Sequence, residues 1–240
     1  METFNECGTQ DEGYYVVAVG HGAKTYCGLR KGVRKDEFFK VVKESEKNHT
    51  LVDYQKYVNG VPSVPGRQFL LPGGTIHASG RNQLILEIGS LTMGSYTFKL
   101  YDYLRNDLDG NPRPIHTYYG EQVLKEERDE DFVKEHLCKE PILARKGEGF
   151  EEYIVGEDDL VYYSTRHFRF EKKAQDCTGD KFHVLALVDG EKVVVRSKNN
   201  PERSYTMNFL DIIVVPAEVG DYEIVNLGNQ PVVVYKVMVK

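Results

Sequence analysis

The chain has no tryptophan, seven alanines in 240 residues, four scattered cysteines and no excess of basic charge. It also lacks any apolar run approaching the roughly 20 residues of a membrane-spanning helix, so none is expected. Its first thirteen residues, Met1 to Gly13, carry carboxylates where a signal peptide is basic and then apolar. Cys7, Cys27, Cys138 and Cys177 form no Cys-x-x-Cys pair, which argues against a zinc knuckle or redox dithiol and leaves reduced structural thiols. Thirty-one Lys and Arg against 37 Asp and Glu give a formal charge of −6, which argues against a general nucleic-acid footprint. The expectations are a cytoplasmic location, no nucleic-acid partner and no membrane partner.

What is abundant points to sheets. Twenty-eight Val and 16 Tyr against seven Ala favour pleated surfaces, where β-branched and aromatic side chains fit. The length suffices for one large domain or two small ones. Tyr14 to Val19 and Thr25 to Leu29 flank a Gly-His-Gly turn and read as a hairpin. Asp36 to Lys47 predicts a short helix, because Phe38, Phe39, Val41 and Val42 share one side and acidic residues sit near its start. Arg67 to Leu71, Gln83 to Ile88 and Tyr96 to Tyr101 read as further strands.

From Asn106 to Arg145 the chain turns polar, with Asn111, Pro112 and Pro114 irregular and Glu121 to His136 carrying one or two helices. The charge run Lys125, Glu126, Glu127 and Arg128 reads as a solvated face. Alternation returns from Phe150, in Tyr153 to Val155, Leu160 to Phe170, His183 to Val188, Lys192 to Arg196, Asp211 to Val215, Tyr222 to Asn226 and Val232 to Val239. Turn signals every ~8 to 12 residues give this part the spacing of a sandwich or barrel.

The most informative stretch is Gly66, five residues, and then Pro72-Gly-Gly-Thr-Ile-His-Ala78. Glycines and a proline make a tight entry into a strand, from which the His77 imidazole can point into a small barrel as a neutral nitrogen ligand. The stretch resembles the second sequence motif of the cupins. With Leu84-Ile-Leu-Glu-Ile88, Lys99-Leu-Tyr-Asp-Tyr103, Arg105, Gly110, Pro112, Arg113 and His116, it is similar to the type I phosphomannose isomerases. Asp11 to Val19, Ala23 to Leu29 and Phe150 to Lys240 extend the likeness over essentially the whole chain.

That resemblance implies a mainly β fold of two cupin-like jelly-roll domains joined by a short helical connector. A metal-site domain, N-terminally truncated, would occupy 1–105 with a short helix near 36–47, the connector 106–149, and a C-terminal cupin-like domain 150–240. It also implies a Zn2+-dependent interconversion of mannose 6-phosphate and fructose 6-phosphate, a proton passing between C1 and C2 through an enediol-like intermediate. The partner would be a small-molecule sugar phosphate; oligomeric state stays open.

In the family the metal is held by a Gln-x-His element, a Glu and the His of the Gly-Thr-x-His-Ala stretch. Glu12 and His77 match the last two, whereas no Gln-x-His element lies in the eleven residues before Glu12, so the zinc site reads as incomplete. Lys99 stands where the family has an Arg, keeping the charge without the planar fork; it is the candidate catalytic electrophile, or else a surface lysine on an edge strand. Glu87 matches a carboxylate placed for proton shuttling, alternating with Leu84, Leu86 and Ile88, or else points to solvent. Arg105 and Arg113 could bind phosphate through bidentate guanidiniums, or be solvated. In the last third, Tyr222 stands where a ligand His would fall and His183 has no partner at ligand spacing. That unit reads as metal-free, its task packing. The alternative function is a non-catalytic cupin that binds a sugar or sugar phosphate.

Overall fold

Strand-forming runs at both ends of the chain pair into four antiparallel sheets in the computed structural model, which describes residues 9–90, 97–102 and 105–240. The chain divides into two units between Cys138 and Lys139. In the first, β1 (Glu12–Val19) lies between β4 (Gln68–Leu71) and β6 (Gln83–Gly89). A second sheet places β2 (Lys24–Leu29) between β3 (Val58–Pro62) and β5 (His77–Ser79). The Gly-His-Gly segment is an exposed turn between β1 and β2.

The helix α1 (Lys35–Asn48) carries Asp36 and Glu37 in its first turn and Lys47 in its last, each complementing the helix dipole. It ends where His49 turns left-handed at φ 53°. Phe38, Phe39 and Val42 are fully buried with Leu29, Val58, Leu100 and Leu124, and each buried aromatic contributes roughly 2–3 kcal/mol. Two short helices follow, α2 (Thr117–Val123) and α3 (Glu130–Phe132), the latter running into a wider turn over Val133–Leu137. Asp129 starts α3 by accepting from the Asp131 and Phe132 N–H groups.

Three expectations need correction here. Tyr14 to Val19 and Thr25 to Leu29, read as a hairpin, lie in different sheets and do not pair with each other. The stretch expected as a strand from Tyr96 to Tyr101 is irregular over 97–101, and its first residue lies outside the described residues. Arg128, read as part of a solvated run, is buried.

The second unit contains ten strands. Its larger sheet has the order β14 (Ile212–Val215), β11 (His183–Asp189), β16 (Val232–Val239), β9 (Tyr163–Phe170), β8 (Phe150–Gly156), β7 (Ile142–Gly147). The smaller has β10 (Lys173–Cys177), β15 (Asp221–Asn226), β12 (Lys192–Ser197), β13 (Ser204–Asn208). A shared core takes Phe168, Leu185 and Val234 from one sheet and Val193, Met207 and Ile224 from the other. Strand β7 falls inside the stretch read as connector, and it is an edge strand whose middle residues are exposed and basic, a composition that discourages further edge pairing. Cys27 and Cys138 are buried and Cys177 exposed, all three as free thiols; Cys7 lies outside the described residues.

Candidate active site of the first unit

Strand β1 starts with Glu12, and alternation puts Glu12 and Tyr14 on one face. Glu87 of β6 stands directly opposite Tyr14 in the ladder, so it shares that face. His77 comes from the other sheet, at the first position of β5 opposite Cys27. Its ring meets Tyr14 edge-on at 5.8 Å, and its Nε2 lies 3.1 Å from Glu12 Oε2. Two sheets thus bring Glu12, His77, Tyr14 and Glu87 to one place.

The loop before β5 fixes the imidazole. His77 Nδ1 is 2.8 Å from the Thr75 carbonyl, which can only accept, so Nδ1 carries the proton. In the neutral ring Nε2 is then a bare lone pair aimed at a carboxylate. Two acceptors at that distance repel unless a cation lies between them, either a proton on Nε2 or a metal ion. Burial alone would depress the His77 pKa, but the hydrogen bonds to Glu12 and to the Thr75 carbonyl and the charges of Glu12 and Glu87 outweigh it and raise it. Glu87 is held above the ordinary carboxylate range, by burial first and by the Glu12 charge second. The Tyr14 hydroxyl is pushed up by burial and then by the same two carboxylates.

Two residues that sequence reasoning missed hold this loop. Arg128 Nη1 donates to the Pro72 carbonyl at 2.7 Å, the Gly73 carbonyl at 2.9 Å and Thr75 Oγ1 at 2.6 Å. Thr75 Oγ1 in turn donates to the Pro72 carbonyl at 2.7 Å. Asp11 accepts from the Gly73 N–H at 2.9 Å. Gly74 has φ +91° and sits so close to α2 that a Cβ would meet the Val123 carbonyl oxygen at 2.6 Å. A charge run gives no sign of such burial; the only signal available for Asp11 was its place beside Glu12.

Lys99, Arg105 and Arg113 are held by contacts of their own. The Lys99 N–H donates to His116 Nδ1 at 3.0 Å, and the His116 N–H to the Lys99 carbonyl at 2.7 Å, so Lys99 sits in an irregular segment clamped to the start of α2. Arg105 and Arg113 converge on the buried carboxylate of Asp102, at 2.9 and 3.2 Å. Glu87 is solvent-accessible in its strand rather than enclosed.

A divalent ion fits the pair in its donor chemistry, since one neutral imidazole nitrogen and one carboxylate suit zinc and the facing acceptors require a cation. Among the described residues, no group of three or more His, Cys, Asp or Glu is close enough together to hold a metal alone. Glu12 and His77 thus present two donors of the kind that zinc takes.

No family model matches the sequence. The chain is 27% identical over 209 residues to the mannose-6-phosphate isomerase ManA of Bacillus subtilis (strain 168), a match spanning 87% of this chain and 56% of that protein. It spans about half the length of the curated relatives it matches, 50% and 56% of two of them. The crystal structure of mannose 6-phosphate isomerase from Bacillus subtilis superposes with a TM-score of 0.71 at 17% identity, over 95% of this chain and 64% of that one. A zinc-bound mannose 6-phosphate isomerase superposes with a TM-score of 0.60 at 12% identity, over 96% of this chain and 66% of that one. These structures share the mainly β fold described above.

Proposed function

We propose that this chain, a relative of the type I phosphomannose isomerases in sequence and in fold, interconverts mannose 6-phosphate and fructose 6-phosphate at the meeting point of β1, β5 and β6. The observation that carries the reading is the His77 Nε2 to Glu12 Oε2 contact, made between two sheets with Glu87 on the same face. Glu12 and His77 would supply two ligands to a zinc ion there, and its chemistry would be to polarise oxygens of the sugar phosphate.

Glu87 has the chemistry of the proton carrier. Its pKa lies above the ordinary carboxylate value, which brings it nearer to the working range of a general base. It takes the proton from C2 of the aldose and returns it to C1, while the O2 hydroxyl proton passes to O1, giving the ketose. Lys99 offsets negative charge on the enediol-like intermediate through its ammonium, and Arg105 and Arg113, held on Asp102, receive the phosphate. The Thr75 carbonyl keeps the His77 tautomer fixed throughout, and Arg128 keeps Thr75 in place.

The test is a coupled assay of mannose 6-phosphate turnover with the purified chain, zinc supplied and withheld. Turnover that depends on zinc and vanishes in His77→Ala supports the reading. Calorimetric binding of mannose 6-phosphate without turnover, zinc-independent and indifferent to Glu12→Gln, overturns it in favour of a non-catalytic sugar-phosphate binder.

A further inference from the structure

The inward-facing positions of the second unit change character at one level. Along β8 the face passes from Phe150 to Glu152, along β9 from Phe168 to Arg166, and along β10 from Ala174 to Asp176. On β11 it passes from Leu185 to His183, on β15 from Ile224 to Tyr222, and on β16 from Val234 to Lys236. The period of two places each pair on the same side of its strand. One end of the unit is thus an apolar core and the other a polar layer built from both sheets.

Lys236, only 2% exposed, lies 2.7 Å from Glu152 and 2.5 Å from Asp176. Tyr222 donates its hydroxyl proton to Asp176 at 3.0 Å, so the His183 Nδ1–H donates to the Tyr222 oxygen at 2.9 Å. Arg145 reaches Glu152 and Asp176 at 2.8 and 3.0 Å, and Arg166 reaches Glu152 at 3.5 Å. This layer opens on a cavity of about 580 Å³ whose wall includes Arg166, Glu152, Asp176, His183 and Lys236.

Packing alone does not call for this layer, because replacing buried ion pairs with apolar side chains of similar volume is often neutral or stabilising. Its charges are also unbalanced: four cations, Arg145, Arg166, Lys181 and Lys236, stand against three carboxylates, Glu152, Asp176 and Asp180. Burial and the Lys236 charge lower the His183 pKa to about 4, so at neutral pH this ring adds no positive charge. The Arg166 Nε–H is buried with no hydrogen-bond partner among the described residues, a donor that costs stability until something accepts from it.

We propose that this cavity binds a small polyhydroxylated anion, a sugar phosphate or a sugar acid, independently of the site in the first unit. The anionic group takes the surplus positive charge and the free Arg166 donor. Hydroxyls of the ligand donate to the remaining lone pairs of Glu152 and Asp176, acceptors that a simple inorganic anion would leave unused.

Calorimetric titration of the purified chain with glucose 6-phosphate and with gluconate tests this and separates the two ligand types. The expected result is saturable binding of at least one probe, weakened about tenfold or more by Arg166→Met and largely restored in Arg166→Lys. Variants whose circular dichroism departs from the parent are replaced by Lys181→Met, a cation on the cavity wall, expected to weaken the same binding. His77→Ala should leave it unchanged, which separates this site from that of the first unit. No saturable binding of either probe up to about 10 mM, or binding lost in His77→Ala and kept in Arg166→Met, overturns the proposal.

Discussion

Thr75 and His77 stand in a relation that fixes what the imidazole can do: the Thr75 carbonyl accepts the Nδ1–H at 2.8 Å, leaving Nε2 to face Glu12 at 3.1 Å. A ring free to choose its tautomer could satisfy Glu12 by itself. This one satisfies it only with a second proton on Nε2 or with a metal ion between the two.

Removing either partner should therefore abolish metal retention. His77→Ala and Glu12→Gln are each expected to lower bound zinc and to reduce kcat/KM on mannose 6-phosphate by about 100-fold or more. Metal content by plasma mass spectrometry on dialysed protein checks this; zinc retained at the parent level in His77→Ala would contradict it.

Glu87→Gln removes the proposed proton carrier while keeping its shape. The expected loss is about 10²- to 10⁴-fold in kcat with KM little changed. A base must be ionised to act, so the acid limb of the pH–rate profile should fall at a pH above the ordinary carboxylate value of 4.5, in the direction that burial and the Glu12 charge push Glu87. A limb at or below 4.5 would remove Glu87 from this role.

Arg128→Met takes one donor from the Pro72 carbonyl, which keeps that of Thr75, and removes the guanidinium donor from the Gly73 carbonyl and the Thr75 hydroxyl. A destabilisation of about 2–4 kcal/mol is expected from urea unfolding, because hydrogen bonds to charged groups contribute about 1.5–3 kcal/mol each and do not add fully. Zinc affinity should weaken as well, since His77 depends on Thr75. A variant as stable as the parent would place Arg128 back among solvated charges.

Acid should weaken the second unit in a defined window. His183 has its folded pKa lowered to about 4 by burial and then by Lys236, so between the unfolded value of 6.5 and about 4 the unfolded chain binds the extra proton. The stabilisation is fully present above pH 6.5 and is lost as pH falls through that interval, by an amount on the order of 3 kcal/mol. His167, lowered to about 3 by burial and Arg169, acts in the same direction. Asp176 also has a lowered pKa, the Lys236 charge and hydrogen bond outweighing its burial, and its contribution is lost only below the ordinary carboxylate range. Chemical unfolding from pH 7.5 to 4.5 should show the slope, and His183→Asn should flatten it.

Much of the fold was legible because its signals are local. The strands and the turn around His21, α1 and most strands after Phe150 follow from period-two or helical spacing and from glycine turns, although the two strands at His21 pair in different sheets. Strands β10 and β13 escaped because Lys-Ala-Gln-Asp-Cys and Ser-Tyr-Thr-Met-Asn carry too few apolar residues to show a period; pairing with β15 and β12 makes them strands. At the site, Glu12, His77 and Glu87 were found through the family resemblance, whereas Arg128 and Asp11 were not, because their partners are backbone groups of a loop distant in sequence.

The sequence by itself determined that the chain is mainly β, that Pro72 to His77 makes a tight strand entry and that Glu12 and His77 match metal ligands. Tertiary structure alone decided which nitrogen of His77 faces Glu12, that Arg128 is buried, and that His183, Tyr222 and Lys236 form one polar layer with Glu152 and Asp176. Strand period reports which side of a strand a residue occupies. It carries no information about which side chains of another sheet lie across from it, and the proton, the charge balance and the ligand preference all depend on that second fact.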